Sequence, residues 1–110
     1  MSVKSAFWQG FNKEAASANS MKPALAIIER SDSNESRSYR RMVERSKKMF
    51  PRARVEFFDA KDHRPLVSKL DIKTFPHTVL LKGQQILSSH SGVLDEKTLT
   101  NLLKKSEMGG

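Results

Sequence analysis

The chain has 110 residues, 37% of them hydrophobic, and carries a formal charge of +8. That length holds one domain around one core, and no apolar run approaches the ~20 residues needed to cross a bilayer as a helix. With no cysteine, disulfides, thiolate chemistry and cysteine metal sites are excluded. His63, His77 and His90 lack metal-ligand spacing, so neither a metal nor a cofactor is expected.

Residues 4–18 can form a helix with Phe7, Phe11, Ala15 and Ala18 on one side and Trp8 beside them. Its two readings are an aromatic edge packed on the domain and an amphipathic anchor for a partner or membrane surface. No uninterrupted apolar segment follows Lys4, so the expectation is an intracellular, cytoplasmic protein. Asn19-Ser20-Met21-Lys22-Pro23 breaks the pattern and separates an N-terminal helical segment, 1–20, from a domain expected over 21–106.

Ala24-Leu25-Ala26-Ile27-Ile28 has the continuous apolar character of a strand buried on both faces. A polar turn over 31–36 leads into a helix whose apolar stripe is Tyr39, Met42, Val43, Met49 and Phe50, ended by Pro51. Eight basic residues, Arg37, Arg40, Arg41, Arg45, Lys47, Lys48, Arg52 and Arg54, share this stretch with one acid, Glu44. Nearly all of the net charge therefore sits in one window, able to attract phosphate, acidic protein or anionic lipid.

A second strand is expected over 54–58, then a short helix over 65–70 with Pro65 in its first turn. Strands over 78–82 and 85–91, joined by Gly83-Gln84, read as an antiparallel hairpin. Asp95 is a suitable N-cap for a last helix buried through Leu99, Leu102 and Leu103, with Lys104 and Lys105 near its negative end. Residues 107–110 are expected to form a frayed tail. The order α-β-α-β-α-β-β-α, with a parallel β-α-β crossover followed by a hairpin, implies an α/β fold with a four-stranded mixed sheet flanked by helices.

The stretch Leu70-Asp71-Ile72-Lys73-Thr74-Phe75-Pro76-His77-Thr78-Val79-Leu80-Leu81-Lys82-Gly83-Gln84-Gln85-Ile86 resembles the thioredoxin family, and Gly92 stands where that family has a glycine before its last helix. The resemblance runs from about Ala24 to Lys105 and has no counterpart for 1–20. It implies a thioredoxin-like fold, a cis bond before Pro76, and a peptide-binding loop at Phe75, Pro76 and His77. It also implies that Ser33-Asn34-Glu35-Ser36 occupies the place of Cys-x-x-Cys, with Asp32 for the usual Trp and Ile27 for the usual buried acid.

A helix N-terminus activates a thiol but gives a serine hydroxyl no comparable reactivity, and no adjacent histidine serves as its base. Ser33 and Ser36 have a second explanation, since serine is preferred at helix starts and Asp32-x-x-Glu35 fits an acidic capping box. Three functions follow: a non-catalytic protein-binding module for an acidic partner, an oxidoreductase whose two cysteines are replaced, and a nucleic-acid-associated protein using the basic helix.

Overall fold

The computed structural model describes residues 23–82 and 85–108, so the N-terminal helix expected over 4–18, the Gly83-Gln84 turn and Gly109-Gly110 lie outside the described residues. Strand β1 (Pro23–Glu29) leads to helix α1 (Asn34–Lys47), and strand β2 (Val55–Asp59) to a 3-10 turn (Ala60–Asp62). Helix α2 (Arg64–Lys69), strands β3 (His77–Lys82) and β4 (Gln85–Ser91), and helix α3 (Glu96–Met108) complete the order. The sheet runs β2-β1-β3-β4, with β1 and β2 parallel and the other neighbours antiparallel. This is the four-stranded mixed sheet expected from the sequence.

All seven residues of β1 are buried, because the strand is central in the sheet and both its faces are covered. Leu25 and Ile27 face one way, into a cluster with Tyr39 and Val43 of α1 and Leu99, Leu102 and Leu103 of α3. Ala24, Ala26 and Ile28 face the other way, toward Leu66, Ile72, Val79 and Leu81. Each fully buried Leu or Ile contributes about 1.5–3 kcal/mol, so this strand anchors two cores at once. Within the first cluster the Tyr39 hydroxyl and Thr78 Oγ1 lie 2.8 Å apart, satisfying both buried groups.

Helix α1 ends at Lys47, and that boundary corrects the stripe read from the sequence. Met42 and Phe50 pack on the core, but Met49 is 71% exposed because a helical spacing no longer applies beyond the last turn. Helix α3 starts as expected: Asp95 Oδ1 accepts the Thr98 N–H at 2.8 Å, a bond that holds the Asp95 carboxyl below its ordinary pKa. At its other end α3 continues through Met108, past the boundary set at 106. The added turn is held by the segment before β2. Arg54 N–H donates to Ser106 Oγ and Arg52 N–H to a Glu107 carboxylate oxygen, each at 3.1 Å. Among the described residues no helix is long and apolar enough to cross a membrane.

Burial pushes the Tyr39 phenol up to about 12, from an ordinary value of 10.0. The folded state therefore holds the phenolic proton more tightly than the unfolded chain. The resulting stability is complete below pH ~10 and is lost as the pH rises toward 12. Since Tyr39 is the single tyrosine, tyrosinate absorbance reads it alone. The expected midpoint is near 12 in the native protein and about 10 in concentrated guanidinium; a native midpoint near 10 would mean an exposed hydroxyl.

Candidate functional site

The carboxyl ends of the parallel strands β1 and β2 lie side by side, with Glu29 opposite Asp59. Ligand sites of open α/β sheets lie at this end of the strands. From β1 the chain turns through Arg30, Ser31 and Asp32 into α1. Ser33 is the N-cap: its backbone is extended, and its Oγ accepts the Ser36 N–H at 3.2 Å. Ser36, 1% exposed, uses its own Oγ to accept the Arg30 N–H at 3.1 Å. The cap is thus Ser33 rather than Asp32, so the acidic capping box does not form. Asp32 instead pairs with Arg30 at 3.2 Å, and Glu35 accepts a hydrogen bond from Ser33 Oγ at 3.2 Å.

The opposite wall is the loop before β3. The Phe75–Pro76 peptide bond is cis, and the Pro76 carbonyl accepts the Gly92 N–H at 2.8 Å. Gly92 has φ +79, a conformation that a side chain would strain, although a Cβ there would stand an ordinary 3.9 Å from Thr74 Cγ2. Phe75 is half-buried, and the Arg30 guanidinium carbon lies 6.0 Å from its ring centroid. Among the described residues no hydrogen bond takes up the main-chain N–H or C=O of Phe75.

Arg30 and Phe75 border two hollows. One, of about 500 Å³, runs between the start of α1 (Asp32 to Glu35) and the loop residues Lys73 and Thr74. The other, of about 420 Å³, is bounded by Ser31, Asp32, Asp59, Ala60, Lys61 and Arg64. The structure therefore brings Ser33 and Phe75 to one cleft. Pro76 is buried behind it. His77 leaves the cleft: its buried ring lies 2.6 Å from Ser89 Oγ through Nε2 and 3.4 Å from Ser91 Oγ through Nδ1, both on β4. Burial, with a smaller push from His90, lowers the His77 pKa. Neither Ser33 nor Ser36 has a histidine among its hydrogen-bond partners.

The basic stretch is divided in its duties. Arg40 reaches Glu29 at 2.6 Å and Glu44 at 3.6 Å, and its guanidinium carbon stands 4.4 Å over the Phe57 ring. Burial raises the Glu29 pKa and the Arg40 charge pulls it back. Arg37 donates to the Ser31 carbonyl and to Asn34 at the rim of the cleft. Lys47 and Arg54 are half-buried, whereas Arg41, Arg45, Lys48 and Arg52 are exposed. Sequence reasoning missed Arg30, Lys61 and Arg64, which come from three separate elements and share only the distinction of following the strand ends or opening α2.

No family model and no curated protein matches the sequence. Solved structures do match. The germline-specific thioredoxin Deadhead of Drosophila melanogaster superposes with a TM-score of 0.73 over 96% of this chain and 97% of its own, at 21% identity. Fasciola hepatica thioredoxin gives 0.73 over 86% and 89%, at 16% identity. A mutant thioredoxin from Halobacterium salinarum gives 0.71 over 86% and 80%, at 20% identity. This chain has the thioredoxin fold, without a cysteine. Disulfide exchange needs a thiolate, so this thioredoxin fold carries none of that chemistry in its own residues.

In this thioredoxin-like domain both serines act through hydrogen bonds. Ser36→Ala removes the acceptor of the part-buried Arg30 N–H and is expected to cost about 1–2 kcal/mol in urea unfolding. Ser33→Ala should cost about 1 kcal/mol, and Ser33→Asn, which keeps a cap acceptor, only a few tenths. A Ser36→Ala cost no larger than that of the exposed Ser38→Ala would contradict the assignment.

Proposed function

We propose that this chain is a non-catalytic protein-binding module that receives an extended peptide across the Phe75-Pro76 loop. The observation that carries this reading is the main-chain N–H and C=O of Phe75, without a hydrogen-bond partner among the described residues and beside two hollows. An extended segment can pair with those groups as an added strand does, while its side chains enter the hollows. Phe75 supplies the apolar contact, and the capped turn at Ser33 and Ser36 holds the facing wall still. The exposed Arg41, Arg45 and Lys48 raise the encounter rate with an acidic partner rather than define the contact. The absence of a thiol supports binding over oxidoreduction, because Ser33 and Ser36 are already committed as hydrogen-bond acceptors.

Selection of a displayed random-peptide library on the protein, followed by amide chemical-shift mapping, tests this reading. The expected result is peptides that perturb Arg30 to Glu35 and Thr74 to Phe75, with affinity reduced about tenfold by Phe75→Ala, the loss typical of an aromatic anchor. Shifts confined to Arg41, Arg45 and Lys48 would overturn it. So would single-stranded RNA or DNA binding with a steep salt dependence and no peptide selected, which would favour the nucleic-acid reading.

A further inference from the structure

The hollow of about 420 Å³ has a charge balance that neither wall explains alone. Three cations line it, Arg30 from the end of β1, Lys61 from the 3-10 turn and Arg64 from the start of α2, with two acids, Asp32 and Asp59. Both acids already have donors. Asp32 holds Arg30 at 3.2 Å, and Asp59 Oδ1 accepts the Lys61 main-chain N–H at 2.9 Å, capping the 3-10 turn. Among the described residues the Lys61 ammonium and the Arg64 guanidinium have no ion-pair partner. Both residues are exposed, and both border the same space as Phe75. The hollow thus keeps one net positive charge and two uncommitted donors of charge-assisted hydrogen bonds.

Resting on the peptide reading above, we propose that the bound segment places one aspartate or glutamate carboxylate in this hollow, between Lys61 and Arg64. Phe75 sets the register. A chain paired with its main chain advances about 3.3 Å per residue and turns alternate side chains to one side, so one position near the pairing point faces Lys61 and Arg64. A single carboxylate neutralises the residual charge. A dianionic phosphate would leave the hollow with net negative charge beside Asp32 and Asp59, so the carboxylate is the better match. The exposed cations of α1 lie outside this hollow, so they attract acidic segments in general while Lys61 and Arg64 select the position of the acid.

The test repeats the display selection on the native protein, on a Lys61→Gln/Arg64→Gln variant and on an Arg41→Gln/Arg45→Gln variant. All four substituted side chains are exposed, and thermal unfolding checks that each variant stays folded. The expected result is enrichment of Asp or Glu at one fixed position with the native protein and with the α1 variant. That enrichment should disappear in the Lys61→Gln/Arg64→Gln variant while the other preferences persist. A Glu→Gln change at that position in a selected peptide should weaken binding to the native protein about tenfold and to the Lys61→Gln/Arg64→Gln variant less than twofold. Selected peptides without an acidic position, or an acidic position that survives in the Lys61→Gln/Arg64→Gln variant, would overturn this inference while leaving the peptide reading intact. Selection of no peptide at all would overturn the peptide reading itself.

Discussion

Where β1 passes the chain to α1, two serine hydroxyls take main-chain N–H groups that neither the strand ladder nor the helix can satisfy. Ser36 accepts from Arg30 and Ser33 accepts from Ser36, so the last residue of the strand exit and the first turn of the helix are tied in sequence. The rest of the site depends on this relay. It sets the exit direction of Arg30, which borders both hollows and whose guanidinium lies over Phe75. It also fixes the rotation of α1, three residues before Tyr39 enters the core and meets Thr78. A hydroxyl in this position contributes about 1 kcal/mol as a cap, a structural role that commits its oxygen to main-chain N–H groups.

Charge has a similar division between structure and surface. Read as a sum, the chain is strongly basic, yet a side chain near the start of the basic stretch, Arg40, belongs to the fold. It neutralises the largely buried Glu29 at the end of the central strand and covers the Phe57 ring. Removing Arg40 would leave a buried carboxylate without its partner, which costs far more than loss of an exposed pair. The cations that border the hollow of about 420 Å³, Arg30, Lys61 and Arg64, are fewer but face one shared space. In the proposed recognition, position therefore matters more than number, and the α1 cations would add only long-range attraction that salt screens.

The sheet was readable because its signals are local. Five consecutive apolar residues from Ala24 to Ile28 have only a doubly covered strand to occupy, and the hairpin strands flank a two-residue connection. The capping of α1 and α3 followed from serine and aspartate at helix starts. Failures arose where tertiary contacts decide. Met49 has the spacing of a core residue but lies past the end of the helix. Glu107 looks like a tail residue, yet the Arg52 N–H from the segment before β2 holds it in place. His77 sits next to the loop proline, but strand alternation and the serines of β4 turn its ring away from the cleft. The parallel pairing of β1 and β2 followed from the element order, but the convergence of Arg30, Lys61 and Arg64 also needed its register, Glu29 opposite Asp59, which no local pattern encodes.

The proposed peptide recognition requires one junction closed by hydrogen bonds and one loop residue whose main chain stays available. Native-state amide hydrogen exchange reads both in the same experiment, since protection reports the opening free energy of each N–H. The Arg30 and Ser36 amides should exchange slowly, within the range of the β1 core, while the Phe75 amide exchanges at close to the rate of an unstructured peptide. A Phe75 amide as protected as those of β3, or an unprotected Ser36 amide, would contradict this arrangement.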